Sequence, residues 1–330
     1  MNNIKRKLTA KEKWIAVVAG FVIAFLVFGS VYTFRKPSEP NILRIGYTPY
    51  LINLPAMVAD ASGYFEGYKT ELINFKSTDA MLAALQANQI DLASSLGLEK
   101  VFEVNSHEGA GVLIRPVLFN AFSIDTRSEA IVVSIQNVSI KSITDLNGRS
   151  IGTLPATTAV TYCELIAKKN NISFSSIKRL APDVLLPALA KGEVDALLLI
   201  EPFIAHGVTQ EIARPLIYSP VAKYVRDPTL IGAHALNETK LKVDENLGKV
   251  VAKALGKARD DIKKDPLAAM NKAAKYLPFD TNTLKVMNPP AWRISTEVTD
   301  RELQDHLQFF KDAGILTDNK FYRYDVRYLP

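Results

Sequence analysis

The longest apolar run comes first: Trp14 to Phe34 is 21 residues without a charge. As a helix rising 1.5 Å per residue it reaches about 31 Å, enough to cross a hydrocarbon core of ~30 Å. From residue 41 onward short apolar stretches alternate with amphipathic ones, which predicts an α/β body. Leu43–Tyr47, Glu71–Phe75 and Asp91–Ser94 read as one group of strands, and Ala130–Ile135, Ser150–Thr153 and Asp195–Ile200 as another. Between residues 246 and 262, Leu247, Val250, Val251, Ala254, Leu255, Ala258 and Ile262 keep the i, i+3, i+4 rhythm of a helix with one buried face. Thr299-Asp300-Arg301-Glu302 reads as a capping box opening a last helix, with Leu303, Leu307 and Phe310 on its apolar side and Gly314 at its end.

The pattern repeats. Ile45-Gly46-Tyr47-Thr48-Pro49 is echoed 106 residues later by Ile151-Gly152-Thr153-Leu154-Pro155. Ala84-Leu85 with Asn88-Gln89-Ile90-Asp91 is echoed 104 residues later by Ala188-Leu189 with Gly192-Glu193-Val194-Asp195. In each copy a buried strand ends in a proline-containing loop. Later a helix stops at a residue tolerant of the left-handed conformation, Asn88 or Gly192, and another strand begins. Two lobes of related design follow, with Asp91 and Asp195 serving a repeated need of the fold.

Charge changes the picture at one end only. The 330 residues carry a net charge of +6, and residues 1–36 hold all of it, with seven basic residues and one acid. The other 294 residues are balanced, 33 against 33, so the body has no electrostatic case for nucleic acid. The basic residues before Trp14 favour a cytoplasmic N-terminus. The expectation is a basic tail (1–13), an uncleaved single-pass anchor (14–34), a stiff linker (35–41) and a main domain outside the cytoplasmic membrane, in the periplasm or at the cell exterior. A cleaved signal peptide is the rival, although the apolar run is long for one and no clean cleavage site follows it. Cys163 is the sole cysteine, which excludes an intrachain disulfide and a cysteine-based zinc site. The four histidines have no ligand-like spacing, and neither a metal nor a cofactor is expected.

An ordered set of short segments then carries a resemblance. It runs from Leu43–Tyr47 through Leu54-Pro55, Ala59–Phe65, Ala83–Leu85 and Gln89–Asp91 to Ile143–Gly152, Gly192–Ala196 and Glu201-Pro202-Phe203. In this order the chain resembles the nitrate/sulfonate/taurine and thiamine-precursor group of ABC-importer substrate-binding proteins. The resemblance is good over residues 41–235 and holds in outline beyond. It implies a type II periplasmic-binding-protein fold: two α/β lobes joined by two crossing hinge strands, closing on a small ligand. Lobe 1 would comprise residues 42–125 plus 232–330 and lobe 2 residues 126–231. The chain would cross near Ser123–Ser128 and return near Arg226–Gly232.

Ligands of open α/β sheets sit at the carboxyl ends of strands, which names the candidates directly. They are Thr48, Tyr50 and Asn53 after the first strand, Ser77 and Thr78 after the second, and Ser94 and Ser95 after the third. In lobe 2 they are Thr157 and Thr158 at a helix start and Glu201 after a strand. Ser77, Thr78, Thr157 and Thr158 also read simply as helix caps, Glu201 before Pro202 as a structural turn, and Trp292 as packing. Two helix N-termini facing one cleft would suit a sulfonate, phosphate or carboxylate. Lys76 is the nearest cation, and Ile200 stands where sulfonate binders of the group carry tryptophan. Tyr47, Tyr50, Tyr64 and Phe122 leave room for a flat heterocycle of pyrimidine or flavin type, and the ligand class stays open.

The leading expectation is a non-enzymatic receptor. It would be a membrane-tethered monomer that captures a small organic solute, such as a sulfonate or a pyrimidine-type heterocycle, and delivers it to ABC permease and ATPase subunits. A sensory receptor of the same fold signalling to a kinase is the alternative. An enzyme of the pyrimidine or menaquinone pathways is a further one, weakened by the apolar N-terminal segment and by the lack of a cysteine-rich motif.

Overall fold

The computed structural model describes residues 41–106, 113–317, 322–323 and 325–329. The expected tail, anchor and most of the linker lie outside the described residues. Among the described residues no helix is long and apolar enough to cross a membrane. Residues Ile42–Pro330 form one compact unit, which carries both sheets.

Eleven strands form these sheets among the described residues: β1 (Asn41–Tyr47), β2 (Tyr68–Asn74), β3 (Leu92–Gly97), β4 (Ile114–Phe122), β5 (Glu129–Ser134), β6 (Ser150–Thr153), β7 (Ser176–Arg179), β8 (Ala196–Ile200), β9 (Ala213–Tyr218), β10 (Thr229–Asn237) and β11 (Ala291–Ile294). The first sheet runs β11-β4-β10-β3-β1-β2 and the second β7-β6-β8-β5-β9. Both are mixed. β1 runs parallel to β3, and β6 parallel to β7 and β8. β10 is antiparallel to β3 and β4, and β5 is antiparallel to β8 and β9. The chain leaves the first sheet after Phe122, enters the second at Glu129, and returns between Tyr218 and Thr229. The result is a two-lobed α/β fold.

The two echoed aspartates do the same work. Asp91 accepts the Arg44 backbone N–H at 2.9 Å while its own N–H donates to the Arg44 carbonyl at 2.8 Å. Asp195 accepts the Ser150 N–H at 2.9 Å and returns its N–H to the Ser150 carbonyl at 3.1 Å. Each pair pins the entry of one parallel strand beside another, which sets the register Ile45 to Leu92 and Ile151 to Ala196. The helix stops match as well: Asn88 and Gly192 both adopt positive φ, 58° and 71°.

The amphipathic helix spans Leu247–Lys264 and buries Leu247, Val251, Ala254, Leu255, Ala258 and Ile262 in the first lobe. The last helix spans Asp300–Asp312, with Thr299 accepting the Glu302 N–H at 3.2 Å. Only half of the expected capping box forms, because the Glu302 carboxylate turns away to pair with Arg293.

Several strands run past or outside the predicted stretches. β3 continues three residues beyond Ser94, so Ser94 and Ser95 lie within a strand rather than after it. β4 lies outside the predicted stretches, and Pro116 within it gives up one ladder donor. The fold accommodates it where the β4–β10 register shifts, between His234 and Ala235, which faces Pro116.

Candidate functional site

Strand polarity decides where a site can form. β1, β3, β6 and β8 end, and the antiparallel β5 begins, on the sides where the two lobes face each other. A cavity of about 320 Å³ lies there. Tyr50, Ile52, Lys76, Ser77, Thr78, Asp79, Ser95, Gly97, Glu99 and Phe122 line it from the first lobe. From the second come Glu129, Thr153 to Ala156, Thr158, Ala159, Tyr162, Pro182, Leu198 to Ile200 and Val221. That volume suits one small organic molecule.

Five of the ten candidates meet at this cavity: Tyr50, Ser77, Thr78, Ser95 and Thr158. Tyr50 packs edge-on against Phe203 of the other lobe, with ring centroids 5.7 Å apart. Ser77 caps the helix Thr78–Gln86 by accepting the Ala80 N–H at 3.2 Å, so it combines capping with cavity lining. Ser95 takes a positive φ of 64° within β3, and its hydroxyl accepts a bond from the Asn120 amide at 2.6 Å. Thr158 stands in the first turn of the helix Thr157–Lys169, whose N-cap Ala156 offers no side-chain acceptor.

The other five do not line it. The Asn53 amide donates to the Thr48 carbonyl and hydroxyl, both at 2.9 Å, so these two brace the loop behind Tyr50. Ser94 faces the opposite side of β3 and bonds to His234 at 3.0 Å, as alternation along a strand requires. Thr157 is exposed. Glu201 is buried and accepts the N–H groups of Ala205 at 3.0 Å and, across the lobes, of Asn288 at 3.1 Å. Burial is the main cause that pushes its pKa up to about 7. Trp292 is buried, with its indole N–H donated to the Ile52 carbonyl at 3.1 Å.

Three groups at the cavity escaped sequence reasoning: Glu99, Glu129 and Tyr162. Glu99 opens the helix Leu98–Ser106, and its carboxyl folds back over Gly97. A Cβ at Gly97 would stand 2.4 Å from the Glu99 Oε1, so glycine permits this approach. Glu129 is only 1% exposed and accepts the N–H groups of Val221 at 3.1 Å and Ala222 at 3.3 Å. Burial pushes the pKa of Glu99 up to about 7 and that of Glu129 up to about 8. The Tyr162 hydroxyl is buried with no hydrogen-bond partner in the structure. Burial first, then the charges of Glu99 and Glu129, raise its pKa, so it stays protonated. The one available signal was Glu129 itself, a lone acid heading the apolar run Ala130–Val133. Among the described residues no group of three or more His, Cys, Asp and Glu is placed to hold a metal.

The family described as NMT1/THI5 like matches residues 53–269. No curated protein matches the chain in sequence. Solved structures match its fold. The ligand-binding component of an ABC-type import system from Staphylococcus aureus superposes with a TM-score of 0.68 at 17% identity, over 88% of this chain and 97% of that one. The periplasmic aliphatic sulphonate binding protein SsuA of Escherichia coli gives 0.65 at 18%, over 86% and 96%. The periplasmic nitrate-binding protein NrtA of Synechocystis gives 0.64 at 11%, over 85% and 83%. At these identities the likeness establishes a shared periplasmic-binding-protein fold.

Proposed function

The chain belongs to the NMT1/THI5-like family, and from that premise we propose that it is the extracytoplasmic solute-binding protein of an ABC importer. The observation that carries the reading is the cavity itself. It is of small-molecule size, it lies at the strand ends where α/β folds bind ligands, and both lobes supply its walls. Only two connections join the sheets, 123–128 and 219–228, which is the arrangement a hinge requires. Lobe 1 is then residues 42–125 plus 232–330, and lobe 2 residues 126–231. Solute is held by Tyr50, Ser77, Thr78, Ser95 and Thr158, with Thr48, Asn53, Ser94 and Glu201 bracing the walls and Thr157 at the rim. The lobes close on it, and the closed form is presented to permease and ATPase subunits. The protein acts as a monomer tethered by residues 14–34, and its work is capture and release without turnover.

Native mass spectrometry of the full-length chain, purified in mild detergent, tests this. The expected result is a retained small solute that restores thermal stability when added back after unfolding and refolding. No retained mass, together with no thermal response to a panel of sulfonates, pyrimidines, flavins and amino acids, overturns it.

A further inference from the structure

Resting on that reading, we infer that the cavity takes a small nitrogenous solute that donates N–H bonds to Glu99 from one lobe and Glu129 from the other, and not an anion. The charge lining the cavity is the first ground. Among the described residues Lys76 is the one basic residue lining it, exposed at the rim beside an exposed Asp79. Deeper in, Glu99 and Glu129 form no ion pair with lysine or arginine among the described residues. The side-chain oxygens of Glu129 have backbone N–H groups as their partners. Burying carboxyls without cations is costly unless something else supplies the donors. Once these carboxyls ionise, an anion placed here would meet two negative charges at short range in a medium that screens poorly.

The second ground is independent of the acids. The Tyr162 hydroxyl is buried without a partner, and Tyr162 lines the same cavity. Buried phenols are normally bonded, and a ring nitrogen or a carbonyl of the ligand is the partner this inference gives it. The helix starts agree. Asp79 sits in the first turn of Thr78–Gln86 and Glu99 in that of Leu98–Ser106, so their N-terminal dipoles are already answered. Thr157–Lys169, the helix that carries Tyr162, has no acid in its first turn. The ligand is therefore polarised, with donors toward the two glutamates and an acceptor toward Tyr162.

Protonation fits this assignment. The charges acting on Glu99 are those of Lys100, Glu103 and Asp79, and Glu99 and Glu129 both act on Tyr162. Both glutamates are held protonated more readily than ordinary carboxyls. Their affinity for a cation rises as they ionise.

Three probes of one shape and different charge decide the matter: benzamidine, benzamide and benzenesulfonate, titrated calorimetrically into the full-length chain. Benzamidine is expected to bind best and benzenesulfonate at least about tenfold more weakly. Benzamidine affinity rises from about pH 6 to about pH 8.5, the range in which the glutamates lose their protons. Glu99→Gln and Glu129→Gln each weaken benzamidine about tenfold and narrow its advantage over benzenesulfonate. Thermal unfolding of both variants confirms that they fold, and either one alone suffices if the other does not. Tightest binding of benzenesulfonate, or a preference indifferent to both substitutions, overturns the inference while the solute-binding reading stands. If no probe binds, the solute retained in native mass spectrometry decides: an anion overturns the inference, an N–H donor supports it, and no solute removes both readings.

Discussion

The Glu201 carboxyl of the second lobe accepts the backbone N–H of Asn288 in the first at 3.1 Å, and the N–H of Ala205 in its own lobe at 3.0 Å. One buried side chain thus ties the start of the helix Phe203–Thr209 to the opposite lobe. Thr209 and Thr283 continue the tie, hydroxyl to hydroxyl at 3.0 Å. Removing the carboxyl orphans both donors. Glu201→Ala is expected to lower unfolding free energy by about 2–4 kcal/mol, and Glu201→Gln, which keeps an acceptor, by less than half of that. Thermal or urea unfolding at about pH 6 measures both. Equal losses in the two variants would assign the effect to packing.

The pH dependence of stability follows from three raised pKa values. Glu99, Glu129 and Glu201 are pushed up to about 7, 8 and 7. Between the ordinary carboxylate range and these values the folded state holds more protons than the unfolded chain. Their contribution is therefore fully present below the unfolded pKa and is lost as pH rises through about 7 to 8. The melting temperature without solute should fall over that interval. Glu129→Gln should flatten the fall and melt about 2–5 °C above the unsubstituted protein at alkaline pH, with no advantage near pH ~5. Melting curves across this range give the answer, and a steeper fall in the variant would count against it.

Gly97 offers a way to displace Glu99 without touching it. A Cβ there would stand 2.4 Å and 2.7 Å from the two Glu99 oxygens, which are the far end of a flexible side chain. Gly97→Ala should therefore cost little stability, about 1 kcal/mol or less, while weakening solute binding about as much as Glu99→Gln. Calorimetry paired with melting curves separates the two effects. Unchanged affinity would mean that the folded-back carboxyl is not part of the ligand's environment.

The two register aspartates differ in burial. The Asp91 side chain is 3% exposed, with Arg44 at 3.7 Å and Lys240 at 3.2 Å, whereas that of Asp195 is 31% exposed beside Arg149. Substituting alanine should cost about 3 kcal/mol at Asp91, where charges lose a buried partner, and about 1 kcal/mol at Asp195. Chemical denaturation of the two single variants provides the comparison.

Much of the architecture was legible because it is local or repeated. The buried face of Leu247–Lys264 is written in its own spacing, and β6 spans the predicted Ser150–Thr153. The shared role of Asp91 and Asp195 was legible as an echo, because two lobes with one topology need the same strand entry pinned. β4 and the extension of β3 were not, since a strand crossed by Pro116 or continued through Ser94 and Ser95 is stabilised by its neighbours rather than by its own pattern.

The candidate site divides along the same line. The loops after β1, β2, β6 and β8 were identified in the sequence, because a strand's carboxyl end is a local fact. Which side chains of those loops reach a common space depends on how two lobes face each other. Only that arrangement turned Ser94 toward His234, gave Glu201 to Asn288, and brought Glu99, Glu129 and Tyr162 around one cavity. Sequence alone determined that this is a two-lobed α/β body, since the echoed segments and the period of each element are written in the chain. The tertiary structure decided the chemistry of the cavity, because burial and partnership are set by residues far apart in the chain, and these bring Glu99 and Glu129 to one cavity with no ion pair to lysine or arginine among the described residues.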